Sequence, residues 1–277
     1  MRLFNLDGQV PSDAHAVVNT PDLTRRQTLL VAGLALAAPG LALAQSWPSK
    51  PIRLVVPFPA GGSVDPLARV LGERMTQAFG QQVIVDNRAG GNTVIGTDFV
   101  AKAPADGYTL LLTASSHVTQ PQLLTAPFDP IKDFAPVATV SASDMILCVH
   151  PSVPANNLQE FLALAKAKPG ALNFSSAGSG NPNHLAGELL SMMANVKFTH
   201  VPYKGGADAL KDVVGGHVAV GVVSLPTSIA FVKSGQLRVL GVTSATRAPQ
   251  IPDIPTLSEI GVSGYELPTW YGMWAPA

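Results

Sequence analysis

Two clusters of glycine and hydroxyl residues carry the chemistry available to this chain. The first is Phe58-Pro59-Ala60-Gly61-Gly62-Ser63-Val64-Asp65, and the second is Ser175-Ser176-Ala177-Gly178-Ser179-Gly180. Gly61 and Gly62 remove side chains that would hold a ligand away from the backbone. The amphipathic run that follows them predicts a helix, whose first N–H groups have no intrahelical acceptor and sit at the positive end of the helix dipole. A carboxylate or phosphate placed there satisfies them. In the second cluster, Gly178 and Gly180 permit the positive φ angles that make successive N–H groups converge, and Ser175, Ser176 and Ser179 add hydroxyl donors. The pair of clusters suits a small ligand with anionic or polar ends.

Other chemistries lack their signatures. No G-x-S-x-G elbow surrounds any serine, so His184 with Ser179 makes a poor hydrolytic pair. The six histidines, His15, His117, His150, His184, His200 and His217, show none of the i,i+4 or C-x-x-C spacing of a metal site. The glycine turn lacks the G-K-[ST] of a P-loop and the G-x-G-x-x-G of a dinucleotide fold, so no nucleotide, cofactor or metal is expected. Charge is balanced, with 18 Lys and Arg against 18 Asp and Glu, which leaves no net field to gather nucleic acid or anionic lipid. The single cysteine, Cys148, lies in the apolar run MILCV and reads as a buried, inert thiol.

The elements that must position the two clusters are strands and helices in alternation. Residues 52–56, 83–85 and 108–113 read as strands separated by helical runs from Leu67 to Phe79 and from the Gly90-Gly91 pair to about Lys102. This order implies a parallel sheet whose ligands sit beyond the carboxyl ends of its strands, where Ser115 and Ser116 also fall. Residues 120–133 are proline-rich and aperiodic. A second α/β series follows, with strands ending at Val149, Phe174, Val201, Val223 and Thr243, and helices at 158–167, from about 183 to Ala194, 207–214 and 227–233. Tyr203-Lys204-Gly205-Gly206 turns at a carboxyl edge of that series, which brings Tyr203 into the candidate binding set. Trp270, Tyr271 and Trp274 read as packing of a strand that returns to the first sheet. Two α/β lobes joined by extended segments predict a cleft with a hinge.

The amino terminus reads as an address. Arg25-Arg26 precede the apolar run 29–38, and Ala42-Leu43-Ala44 offers a cleavage site before Gln45. That is an export signal of twin-arginine type over residues 1–44, which predicts a periplasmic mature protein without membrane insertion. The run is broken by Pro39 and Gly40 and is too short to span a bilayer.

The segments IRLVVPFPAGGSVDPLARVLGERM, QQVIVDNRAGGNTVIGTDFVAKAPADGYTLL, DPIKDFAPVA, HVPYKGG, QLRVLGVTS, IPDIPTLSEIGVSGYE and WYGMWAPA together resemble the solute receptors of tripartite tricarboxylate transporters, the Bug-type periplasmic binding proteins. The likeness runs through residues 46–277. It implies a two-lobed, Venus-flytrap α/β fold of type II with two sheets flanked by helices. Lobe 1 would be residues 45–142 and 245–277, and lobe 2 residues 143–244. It also implies capture of a small carboxylate for inner-membrane transporter subunits, with no catalysis. In the family the ligand is held by backbone N–H groups and waters from segments matching Phe58–Asp65 and Ser175–Gly180. His184, which follows the second loop, is expected to position that loop rather than to activate a nucleophile. Members of that family continue past the WYGMWAPA segment with a helical stretch, so lobe 1 is expected to lack part of its covering helices. A ligand-sensing subunit needs the same cleft, and a serine-type hydrolase is the rival from another class.

Overall fold

The computed structural model describes residues 47–277, and the predicted export signal lies outside them. The first sheet contains β1 (Ile52–Val56), β2 (Val83–Asn87), β3 (Thr109–Ala114), β4 (Phe134–Ser143) and β10 (Thr269–Pro276), in the order β2-β1-β3-β10-β4. Its helices are α1 (Val64–Phe79), α2 (Val94–Ala101) and α3 (Ser116–Leu123). The period of two along β1 divides the core. Ile52, Leu54 and Val56 face α1 through Val64 and Ala68, while Val55 packs on the other face with Leu111, Trp274 and Val100 of α2.

The second sheet has β5 (Met145–Val149), β6 (Asn173–Ser176), β7 (Thr199–Pro202), β8 (Val220–Ser224) and β9 (Arg238–Val242), in the order β7-β6-β8-β5-β9. Four helices cover it: α4 (Leu158–Ala167), α5 (Pro182–Ala194), α6 (Gly206–Val214) and α7 (Leu225–Lys233). MILCV alternates in the same way. Met145, Leu147 and Val149 join Phe161 of α4 and Leu190 of α5, whereas Ile146 and Cys148 meet Leu210 and Val213 of α6. Full burial pushes the Cys148 thiol up to about 12, so it is inert as expected.

Three expectations change. Both sheets are mixed, because β10 runs antiparallel to β3 and β4, and β5 antiparallel to β8 and β9. The chain passes from β4 to β5 across Asp144 alone, so β5 enters the second sheet by a crossing rather than a helical crossover. The ten-residue β4 went unread because it is an edge strand, mostly exposed, with no apolar alternation to reveal it. Ser116 and His117 begin α3 instead of ending a strand as loop residues. The His117 ring is buried between Phe134 and Trp274, with Nε2 3.0 Å from the Pro130 carbonyl, and burial pushes its pKa down to about 4.

The segment expected with the first lobe from residue 245 packs instead on the second sheet. Leu257, Val262 and Tyr265 enter its core, and the Tyr265 hydroxyl donates to the Ala186 carbonyl at 2.8 Å. Its ends meet where the Leu267 N–H donates to the Thr243 carbonyl at 3.0 Å, just before the chain crosses back into β10.

Candidate functional site

Between the sheets lies a cleft with about 570 Å³ of space not filled by atoms, open to solvent at its mouth. Its first-sheet wall is the β1–α1 turn, with Phe58, Pro59, Ala60, Gly62, Ser63 and Val64, backed by Ala114, Thr269 and Tyr271. The opposite wall is assembled from helix starts. Asn181, Pro182 and Asn183 open α5; Gly205, Gly206 and Ala207 open α6; and Ser224 stands at the start of α7, with Met145 and Ala177 between them. Four helix N-termini, those of α1, α5, α6 and α7, therefore meet at one cleft.

Those four termini share a second property. The residues at their cap positions, Ser63, Asn181, Gly205 and Ser224, make no side-chain capping bond. The contrast is α4, away from the cleft, where Asn157 Oδ1 accepts from the Glu160 N–H at 2.9 Å and its amide donates to the Glu160 carboxylate at 2.8 Å. Asn183 turns its amide to the Val222 carbonyl at 2.7 Å, and the Leu225 N–H is taken by the Asp144 carbonyl at 3.0 Å. Among the described residues no Lys, Arg or His lines the cleft, and the one acidic residue that does is Asp208. Positive potential here comes from backbone dipoles, each worth about half a charge.

The predicted site residues divide. Phe58, Pro59, Ala60, Gly62 and Ala177 line the cleft. Gly61 has φ +80° and turns its N–H to Asp65 Oδ2 at 3.0 Å, so it shapes the turn without lining the space. Asp65 is buried. Desolvation raises its pKa, but the bonds from Arg69, Gly61 and Asn87 and the Arg69 charge outweigh that and hold the carboxyl below its usual range. It is a brace for the turn, ionised at neutral pH.

The loop 178–180 is spent on the other lobe. The Asn92 amide donates to the Ser179 carbonyl, and the Thr119 hydroxyl donates to the Gly180 carbonyl at 3.3 Å. A Cβ on Gly178 would collide with Asn92, so glycine is needed for this approach. Behind the loop, Ser176 Oγ bonds His200 Nε2 at 2.6 Å, and the Gly180 N–H donates to His184 Nδ1 at 3.1 Å. The two imidazoles stack with centroids 4.0 Å apart. Burial, then the His184 charge, brings His200 down to about 4, and burial lowers His184 against the pull of Glu188. Neither Ser176 nor His200 lines the cleft, so this Ser–His pair has no part of the cleft beside it.

Tyr203 faces away, its hydroxyl donating to Asp212 at 2.5 Å, with the phenol pushed up to about 12 by burial, that bond and the nearby carboxylates. Ser115, Ser116 and Ser175 also stay outside the cleft; the hydroxyls of Ser116 and Ser175 are buried without a partner. Asn181, Gly205, Asp208, Ser224 and Tyr271 were missed. The Asn-Pro-Asn run at 181–183, a cap residue followed by proline at the first helical position, was the readable signal for one of them. Among the described residues no group of His, Cys, Asp and Glu could hold a metal ion, and no helix is long and apolar enough to cross a membrane.

With this geometry in place, comparison with known proteins is direct. Residues 67–277 match the family described as tripartite tricarboxylate transporter family receptor. The chain is similar to the protein BugT of Bordetella pertussis, with 37% identity over 254 residues, 90% of this chain and 78% of that protein. Among solved structures it resembles an R. palustris protein with adipate, at TM-score 0.80 and 37% identity, covering 83% of this chain and 78% of the other. It also resembles MatC from Rhodopseudomonas palustris with bound malate, at TM-score 0.79 and 29% identity, covering 83% and 79%. The resemblance expected from the sequence is thereby established: the chain belongs to the receptor family of the tripartite tricarboxylate transporters, the Bug-type solute-binding proteins with a two-lobed α/β fold.

Proposed function

We propose that the protein is a periplasmic receptor that captures a small organic carboxylate and hands it to inner-membrane transporter subunits, with no chemical change to the ligand. The observation that carries this reading is the meeting of four uncapped helix N-termini at one cleft without a basic side chain. Helix-start N–H groups without side-chain caps, on converging dipoles, favour an anion small enough to reach several of them at once. The diacids held by the two R. palustris relatives support the same ligand class. The lobes divide at Asp144 and at residues 267–268, where single extended strands cross, and these crossings serve as the hinge.

A thermal-shift screen against small carboxylic acids tests the proposal. A ligand at a hundred times its Kd adds about 2.7 kcal/mol to stability, a readily measured rise in Tm. Each binding acid must be recovered chemically unchanged after incubation. Absence of a shift across mono-, di- and hydroxycarboxylates of two to eight carbons would remove the reading, and turnover of a bound acid would replace it with an enzymatic one.

A further inference from the structure

Among the described residues Asp208 is the one acidic side chain lining the cleft, and no side chain pairs with it there. An acid in the first turn of a helix ordinarily caps it or pairs with a nearby cation. Here α6 begins at Gly205 with no side-chain cap, and Asp208 forms no ion pair with any described Lys, Arg or His, although Lys204 and Lys211 flank it in sequence. Its carboxylate is exposed at the cleft wall, and the titratable group that senses it is the Tyr203 phenol, which its charge helps to raise.

The magnitudes give this residue a direction. The α6 N-terminus offers about half a positive charge, and Asp208 places a full negative one within the first turn. The α6 side of the cleft is therefore net negative, while the starts of α5 and α7 carry no acidic residue in the first turn and the Asp65 charge at the start of α1 is paired with Arg69 at 3.1 Å. We propose that Asp208 sets ligand specificity: the cleft takes a small acid whose carboxylate sits away from α6 and whose second functional group is an ammonium or another N–H or O–H donor, and it disfavours a second carboxylate there. This deepens the receptor reading and rests on it.

The test uses isothermal titration of the whole protein and of Asp208→Asn with straight-chain acids of four to six carbons in three matched sets: simple monocarboxylates, dicarboxylates and ω-aminocarboxylates. Wild-type protein is expected to bind the aminocarboxylate about tenfold tighter than the dicarboxylate of equal length, the size of a partly screened charge contact. In Asp208→Asn that ratio should fall toward one, with the dicarboxylate gaining. An exposed Asp→Asn change leaves the fold intact, which circular dichroism verifies, and Asp208→Ser should repeat the result. A wild-type preference for dicarboxylates, or the same ratio in wild type and both variants, overturns the assignment of Asp208 and leaves the receptor reading standing. If none of the acids binds any of the proteins, the specificity proposal falls, and the receptor reading is decided by the wider thermal-shift screen.

Discussion

Gly61 and Gly62 are adjacent and do different work. At Gly62 the backbone needs no positive φ, and an added Cβ would meet only the Pro59 carbonyl oxygen at 3.6 Å, an ordinary contact. Gly62→Val is therefore expected to fold with nearly unchanged Tm and to lose carboxylate binding, because the branched side chain occupies the cleft wall. Titration giving wild-type affinity in a folded Gly62→Val protein would refute a ligand seat at this turn. Gly61 reverses the pattern. Its φ of +80° disfavours any L side chain, although the space beyond is open, so Gly61→Ala should cost about 1 kcal/mol of stability by denaturant unfolding. Sequence alone pointed to this pair through the glycines and the apolar run behind them. It could not separate them, since the difference lies in one torsion angle and in the Asp65 carboxylate that claims the Gly61 N–H.

At the scale of elements, the turn before α6 packs against the turn before α1. Gly205 has φ near −176°, extended backbone open to any residue, yet a Cβ there would lie 2.8 Å from Pro59 Cδ. Gly205→Ala should thus leave each lobe unstrained while holding the lobes apart. The expected result is affinity reduced about tenfold or more, with a larger radius of gyration by X-ray scattering at saturating ligand. An unchanged affinity and radius would mean that the Pro59 side of the cleft yields freely. Most elements were readable, because β1, β5 and helices such as α1 and α4 carry strong apolar periods, which α3 lacks. The 178–180 loop was located as a special segment, but its partner was not: a glycine-rich run signals close backbone approach without naming what approaches, and here that is Asn92 and Thr119. The excursion 245–267 was expected with the first lobe, whereas burial of Leu257, Val262 and Tyr265 decides where it packs.

For the whole molecule, the desolvated imidazoles of His117 and His200 make stability depend on pH. His117 and His200 take up a proton in the fold only near pH 4, against 6.5 for an ordinary histidine. Between those values the unfolded chain binds more protons, so the contribution of these two histidines to stability is complete above about pH 6.5, falls with pH, and is lost as pH approaches 4. Thermal melts from about pH 7 to pH 5 should show a declining Tm. His117→Gln, which keeps a donor for the Pro130 carbonyl, should flatten that decline. An identical slope in the variant would place the proton uptake elsewhere. The proposed anion seat has a different kind of robustness. It is written in helix starts, and no single side-chain exchange can erase a dipole that many peptide groups share. The walls around it, from Asn183 to Asp208 and Ser224, are side chains that point mutation can alter one at a time. A lineage carrying this cleft can thus keep its demand for an acid fixed while trading one acid for another, so the ligand evolves faster than the grip.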